Sequence, residues 1–304
     1  MVRGRFAPSP TGPLHFGSLV AAVGSYLNAR AANGEWLVRL EDLDPPRVEA
    51  GAADRILHVL DKLGLEWDGD VVNQSRRLDL YRDAIRELSQ SGLTYYCTCS
   101  RRDIALAGPP GIEGARYPGT CRVAGHKNGH ASTRIVTDDK EIGFVDRVQG
   151  YQTQRLQSDV GDFIIQRRDG LIAYQIAVVV DDAEQGITEV VRGSDLLDST
   201  PRQIYLQCLL DLPSPEYAHL PVVVDANGNK LSKQTGARPI DTGKDPQVLF
   251  RALEFLGQRP PLELRGAKAA ELLGWGVNNW CLENVPATRT IRAGTQDASN
   301  IATT

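Results

Sequence analysis

Arg5-Phe6-Ala7-Pro8-Ser9-Pro10-Thr11-Gly12-Pro13-Leu14-His15-Phe16-Gly17-Ser18 is the stretch whose reading decides the fold. Residues 3–7 read as a short strand, and Pro8, Pro10, Gly12 and Pro13 as a tight turn after it. Beyond Gly17, apolar Leu19, Val20, Val23 and Leu27 recur at the helical period until Asn33-Gly34 supplies a stop. Trp36 to Leu40 is a compact apolar run, the pattern of a buried strand, and it ends in Glu41-Asp42-Leu43-Asp44. Strand, loop, helix, strand opens a parallel α/β sheet. Ligands in such sheets bind beyond the carboxyl ends of the strands, where a helix N-terminus offers free N–H groups to a phosphate. Gly17 would let backbone and nucleotide approach closely, and His15 could donate a hydrogen bond as charge develops on phosphate. A proline-rich turn with a helix-capping histidine fits the same residues.

Working outward, helices are expected near 50–63 and 75–91, the second with Ser75 as N-cap and Gly92 just past its end. Residues 93–160 change character, with cysteines, glycine-rich turns and short β-like runs such as Thr133–Thr137. They read as an insertion between a first half, 1–92, and a second half, 161–244, of one sheet domain. In the second half Ile187–Val191 and Leu220–Val224 are strand candidates, 198–212 is helical, and Asn227-Gly228 is a turn. Residues 245–304 read as a small subdomain, helical to 284, with a small, polar and loose tail.

The 304 residues are 41% hydrophobic and 24% charged, enough for a sizeable core. No run approaches the roughly 20 apolar residues that span a bilayer, and no apolar leader precedes Arg3, so a cytoplasmic protein without membrane contact is expected. A net charge of −4 argues mildly against a nucleic-acid partner, so any such claim rests on motifs.

Lys230-Leu231-Ser232-Lys233-Gln234 follows a strand and a turn. Two lysines three apart could clamp a polyphosphate; alone they equally suit a solvated basic turn. Together with His15-Phe16-Gly17-Ser18 they resemble the paired signatures of class I aminoacyl-tRNA synthetases, HIGH and KMSKS. Phe16, Ser18, Leu231 and Gln234 depart from those patterns, while the phosphate-directed His15 and Lys233 are kept. Residues 5–12, Val38–Asp44 and Val191-Arg192-Gly193-Ser194-Asp195 resemble glutamyl-tRNA synthetases more closely.

The resemblance implies a Rossmann-like parallel-sheet catalytic domain of class I synthetase type, with a zinc-binding insertion and a small C-terminal helical subdomain. It implies ATP with Mg2+ and L-glutamate as ligands. It implies ATP handling by His15, Gly17, Lys230 and Lys233, and a glutamate pocket of Arg5, Ser9, Glu41, Tyr174 and Arg192. Charge agrees: two guanidinium forks suit two carboxylates, and Glu41 suits the ammonium. No nucleophilic side chain is needed, because the substrate carboxylate itself attacks the α-phosphate.

Cys97, Cys99 and Cys121 provide three thiolates for a tetrahedral zinc site. The CxC spacing is tighter than CxxC, and free or buried cysteines are the plainer reading. Generic chemistry favours a histidine as fourth ligand, and His126 and His130 follow Cys121. Resemblance to the short paralogs of glutamyl-tRNA synthetase points instead to Tyr117, with His126 as the fallback. Only residues 235–304 follow Gln234, where full-length glutamyl-tRNA synthetases carry a large anticodon-binding region. The short paralogs attach glutamate to the queuosine of tRNA(Asp). A minimal enzyme charging a tRNA 3′ end, and glutamate transfer to a small molecule or carrier protein, are the alternatives.

Overall fold

A computed structural model describes residues 1–126, 130–231, 239–240 and 247–292. Its first half runs β1 (Arg3–Phe6), α1 (Phe16–Ala31), β2 (Glu35–Leu40), α2 (Ala52–Lys62), β3 (Val72–Asn73) and α3 (Leu78–Gln90). The strands pair in parallel, Arg3 opposite Glu35 and Arg39 opposite Val72. Helix α1 is buried along most of its length, because its side chains are small and apolar on nearly every face. Its one buried hydroxyl, Ser25, accepts from Trp36 Nε1 at 3.0 Å and so satisfies the indole at the floor of the core. Trp36 itself stacks on Phe6 and meets the edge of Tyr26.

The middle of the chain supplies β4 (Thr94–Cys97), α4 (Arg101–Ala107), β5 (Pro110–Gly111), β6 (Gly114–Ala115), β7 (Ser132–Ile135), β8 (Glu141–Asp146), β9 (Gly150–Arg155), α5 (Leu156–Asp159) and β10 (Ile164–Gln166). The second half follows as α6 (Tyr174–Glu184), β11 (Glu189–Gly193), α7 (Thr200–Leu209), β12 (Glu216–Leu220) and β13 (Val222–Val224). Strands β11 and β12 are parallel, and Thr188 N donates to Arg3 O at 3.0 Å, joining the two halves side by side. The carboxyl ends of β1, β2, β11 and β12 therefore share one edge. Helices α8 (Val248–Phe255) and α9 (Ala269–Asn279) pack against α1, and β14 (Thr290–Arg292) closes the described chain.

Several expectations change. Helix α3 starts at Leu78, not after Ser75: Ser75 sits in a short 3-10 turn, and its N and Oγ both bond to Asp42. Pro221 interrupts the run expected as one strand, and β12 and β13 enter different sheets. The helical region from 245 is broken between α8 and α9, where Gly257 has φ +73° and Pro260-Pro261 offer no N–H. The tail is not all loose, since β14 pairs in parallel with β13.

Hydrogen bonding also crosses the boundary placed at 160. Strand β10 joins β7 and β4 in the insertion's antiparallel sheet. The β8–β9 hairpin, from inside 93–160, instead extends the catalytic sheet through Asp146 opposite Tyr217. Among the described residues no helix is long and apolar enough to cross a membrane.

Candidate active site and metal centre

A cleft of about 570 Å³ opens at the shared edge of the strand ends. The sheet-end residues Arg5, Glu41 and Arg192 line it, with Tyr174 from the start of α6. Ser9, His15 and Gly17 line the same cleft from the first loop and α1, and Lys230 lines it after β13. Lys233 lies outside the described residues.

His15 is the N-cap of α1. Its Nδ1 accepts from Ser18 N at 3.2 Å, so the ring proton resides on Nε2, 3.0 Å from Ser18 Oγ. Burial, with the Lys230 charge adding to it, lowers this imidazole to about 4. His15 is thus a neutral donor at physiological pH. An added Cβ at Gly17 would stand 3.3 Å from the His15 ring, so glycine preserves that ring's position. Lys230 Nζ meets Asp195 Oδ2 at 2.6 Å, and both residues line the cleft.

The arginines arrive already partnered. Arg5 directs Nε and Nη2 at the two oxygens of Asp182, 3.1 and 3.3 Å away. That side of its fork is occupied, and what it can offer a ligand is the Nη1 end. Arg192 gives Nε to His219, Nη1 to the Tyr174 hydroxyl and Nη2 to Thr200 Oγ1 and Leu196 O. Among the described residues, one Nη1 hydrogen has no protein acceptor. The full forks expected from sequence are therefore partly consumed by the fold.

Beneath them lies a buried charge cluster. Arg39 is fully buried, 2.8 Å from Asp182 and 3.5 Å from Glu41. Asp181 accepts from Gln74, Arg77 and Tyr81 at 2.7–2.8 Å, tying α3 to α6. Burial would lower Arg39, but Asp182, Glu41 and Asp181 outweigh it and raise it. Burial pushes Glu41 up to about 7, against the pull of Arg39 and Arg5. The sequence reading missed Asp182, Asp146 and His219. The pair Asp181-Asp182, set in the apolar run Ile176–Val180, is a signal for the first; His219 in a short strand carries almost none.

The cysteines converge as well. The sulfurs of Cys97, Cys99 and Cys121 all lie within 4.8 Å of one another, and Cys99 and Cys121 are 3.5 Å apart. The spacing and the all-thiol donor set fit a tetrahedral metal. Tyr117 Oη is 4.0 Å from Cys99 Sγ and accepts from Cys121 N at 2.7 Å. The Arg134 guanidinium lies 3.9 Å from the Tyr117 ring centre, the cation a phenolate ligand would want nearby. Burial raises the Tyr117 hydroxyl and brings Cys99 up to about 11. Burial also acts upward on Cys121, but hydrogen bonds from Tyr117 and Thr98 prevail and bring it to about 6. His126 is exposed, and neither it nor His130 joins the sulfur cluster.

Beside the cysteines a second cleft, about 550 Å³, is lined by Arg101, Arg167, Arg168 and His130. Asp44 links the two clefts, 2.6 Å from Arg47 at the rim of the first and 3.6 Å from Arg167 in the second.

Comparison with known proteins adds to this geometry. Residues 1–263 match the family of class I tRNA synthetases (E and Q), catalytic domain. A glutamyl-Q tRNA(Asp) synthetase from Pseudomonas aeruginosa is 55% identical over 288 residues, covering 95% of this chain and 96% of its own. One from Dechloromonas aromatica is 54% identical, covering 93% and 95%. A glutamate tRNA ligase from Elizabethkingia meningosepticum, solved in complex with its amino acid, superposes with a TM-score of 0.79 at 22% identity. That likeness covers 99% of this chain and 68% of the ligase, and it bears on the fold.

Proposed function

The chain belongs to the class I tRNA synthetase (E and Q) family and, within it, to the glutamyl-Q tRNA(Asp) synthetases; from that premise we propose that it activates glutamate with ATP and transfers it to the queuosine base of tRNA(Asp). The observation that carries the reading is the meeting of carboxylate-binding and phosphate-binding groups in one cleft at the strand ends. Arg5 and Arg192 receive the two carboxylates, Glu41 receives the ammonium, and Ser9 and Tyr174 add hydrogen bonds. ATP lies over α1, its phosphates toward His15 and Lys230, with Gly17 allowing the close approach.

A carboxylate oxygen of glutamate attacks the α-phosphorus, the bond to the bridging oxygen breaks, and pyrophosphate leaves. His15 donates its Nε2 proton in a hydrogen bond to phosphate while remaining neutral, and Lys230 and Lys233 balance the leaving charge. ATP comes with magnesium, whose chemistry is charge neutralisation on the phosphates. In the second step a hydroxyl of the queuosine cis-diol attacks the activated carbonyl, and AMP leaves. Zinc held by Cys97, Cys99, Cys121 and Tyr117 is structural, fixing the insertion. The cationic cleft beside it suits phosphates of the tRNA backbone. The enzyme would act on free tRNA in the cytoplasm.

Two measurements test this. Pyrophosphate exchange should proceed with glutamate and far less with glutamine, without tRNA. Labelled glutamate should then appear in the anticodon-loop fragment of tRNA(Asp) from queuosine-containing cells. Label on the 3′-terminal fragment, or equal labelling of queuosine-free tRNA, would favour a minimal charging enzyme. Exchange without transfer to any tRNA would point to a small-molecule or carrier-protein acceptor.

A further inference from the structure

Arg5 and Arg192 have unlike counter-ions. Arg5 touches its carboxylate directly, through Asp182. Arg192 has an imidazole between itself and a carboxylate. Its Nε donates to His219 Nε2 at 3.0 Å, and His219 Nδ1 lies 2.6 Å from Asp146 Oδ2. His219 and Asp146 side chains are wholly buried. An arginine Nε only donates, so His219 Nε2 must accept, and the ring proton belongs on Nδ1, given to Asp146.

Asp146 is itself oriented. Its Oδ1 accepts from the backbone nitrogens of His219, Val148 and Gln149, at 3.1, 3.0 and 2.8 Å, which leaves Oδ2 for the ring. Every link in the chain from the β8 turn to Arg192 therefore has a set direction. The arrangement also keeps a negative charge near a buried guanidinium without letting it fill the guanidinium's Nη groups. Arg192 stays electrically balanced, yet retains an Nη1 hydrogen at the cleft beside Tyr174.

We propose that Asp146 and His219 are positioning residues for amino-acid recognition, fixing the tautomer that holds Arg192 ready for a substrate carboxylate. The proposal rests on the reading that Arg192 receives such a carboxylate. It makes the β8–β9 hairpin, which lies outside both halves of the catalytic sequence, a structural part of the amino-acid site.

Asp146→Asn is the informative variant. The backbone donors keep the amide oxygen where Oδ1 was, so the amide nitrogen faces His219 Nδ1. The ring must then accept there and carry its proton on Nε2, against Arg192 Nε–H, a tautomer reversal of the kind known from Ser-His-Asp triads. The expected result is a glutamate KM in pyrophosphate exchange raised about tenfold or more, with the ATP KM within about twofold. Nitrogen NMR of the intact wild-type protein should show His219 protonated at Nδ1 and bare at Nε2. His219→Gln, which keeps an acceptor for Arg192, should hold glutamate better than His219→Leu.

A wild-type ring protonated at Nε2 overturns the proposal even if Asp146→Asn fails to fold. So do equal shifts in the glutamate and ATP KM, or equal losses in the two His219 variants. Absence of glutamate-dependent exchange by the wild type would instead defeat the functional reading, and the NMR measurement, which needs no substrate, stands apart from it.

Discussion

The strand-end cleft and the cysteine-bearing region hold their polar groups in opposite ways. The cleft stands on two large apolar clusters, and the charges beneath it are cross-braced, Arg5 and Arg39 by Asp182 and Arg77 by Asp181, which also accepts from the Tyr81 hydroxyl. The insertion around Cys97, Tyr117 and Cys121 has a small cluster of its own, with Tyr95, Cys99 and Ile104 against it. Pre-organisation in the cleft comes from packing and paired charges of the chain itself and needs nothing bound. Around the cysteines the apolar area is too small to fix three thiols, and a metal would add what burial lacks. The two regions should therefore fail independently.

The largest effect expected is from metal loss. Structural zinc contributes on the order of 10–16 kcal/mol of apparent binding energy. Cys99→Ser should empty the site by metal analysis and loosen the insertion in hydrogen exchange, with pyrophosphate exchange retained and transfer to tRNA lost. A variant that loses both activities together would break the comparison. Next comes Arg39→Leu, which takes one of two guanidinium partners from Asp182 and the Arg39 contact from Glu41. Removing one partner of a buried ion pair costs about 3–5 kcal/mol, so a lowered denaturant midpoint with zinc content unchanged is expected.

Lys233→Ala should reduce the rate of exchange by about a hundredfold with glutamate affinity kept, as for other donors aimed at developing charge. A change in glutamate KM of the same size would mean that the lysine binds ground state and transition state alike. Tyr117→Phe should be milder than Cys99→Ser, lowering metal affinity while the three thiolates still hold the ion. Unchanged affinity would move the fourth position to another group, with His126 first to be tried.

The smallest effect is in pH. Glu41 sits near 7 in the free protein, so below that value its carboxyl is increasingly neutral and cannot face an ammonium. Glutamate KM should fall as pH rises, by at most about tenfold per unit below 7, and level off above 8. A flat profile from pH 5.5 to 8.5 would remove Glu41 from that role.

Local pattern carried much of this. The turn from Pro8 to Gly17, the apolar period of α1 and the β2 strand are encoded within a few residues, and the structure has β1, α1 and β2 there. Arg5, Ser9, His15, Gly17, Glu41, Arg192 and Lys230 lie in linear motifs, Tyr174 follows only from the family resemblance, and all eight line one cleft. Such motifs are legible because strand ends and helix starts are local events. Ser75 caps no helix because its N and Oγ bond a distant acceptor, Asp42, which no local window contains.

Sequence alone was enough for the parallel α/β core, the synthetase signatures and the three thiols, since each follows from residue type at fixed spacing. The pairing of β8 with β12, the placing of β10 in the insertion sheet and β14 beside β13 needed the folded chain. So did the counter-ions, Asp182 for Arg5 and Asp146 behind His219 for Arg192, which lie 177 residues from Arg5 in the first case and reach His219 across 73 in the second. Strand partners and buried charge partners are chosen by desolvation and geometry across the whole core, and periodicity along the chain holds no record of either.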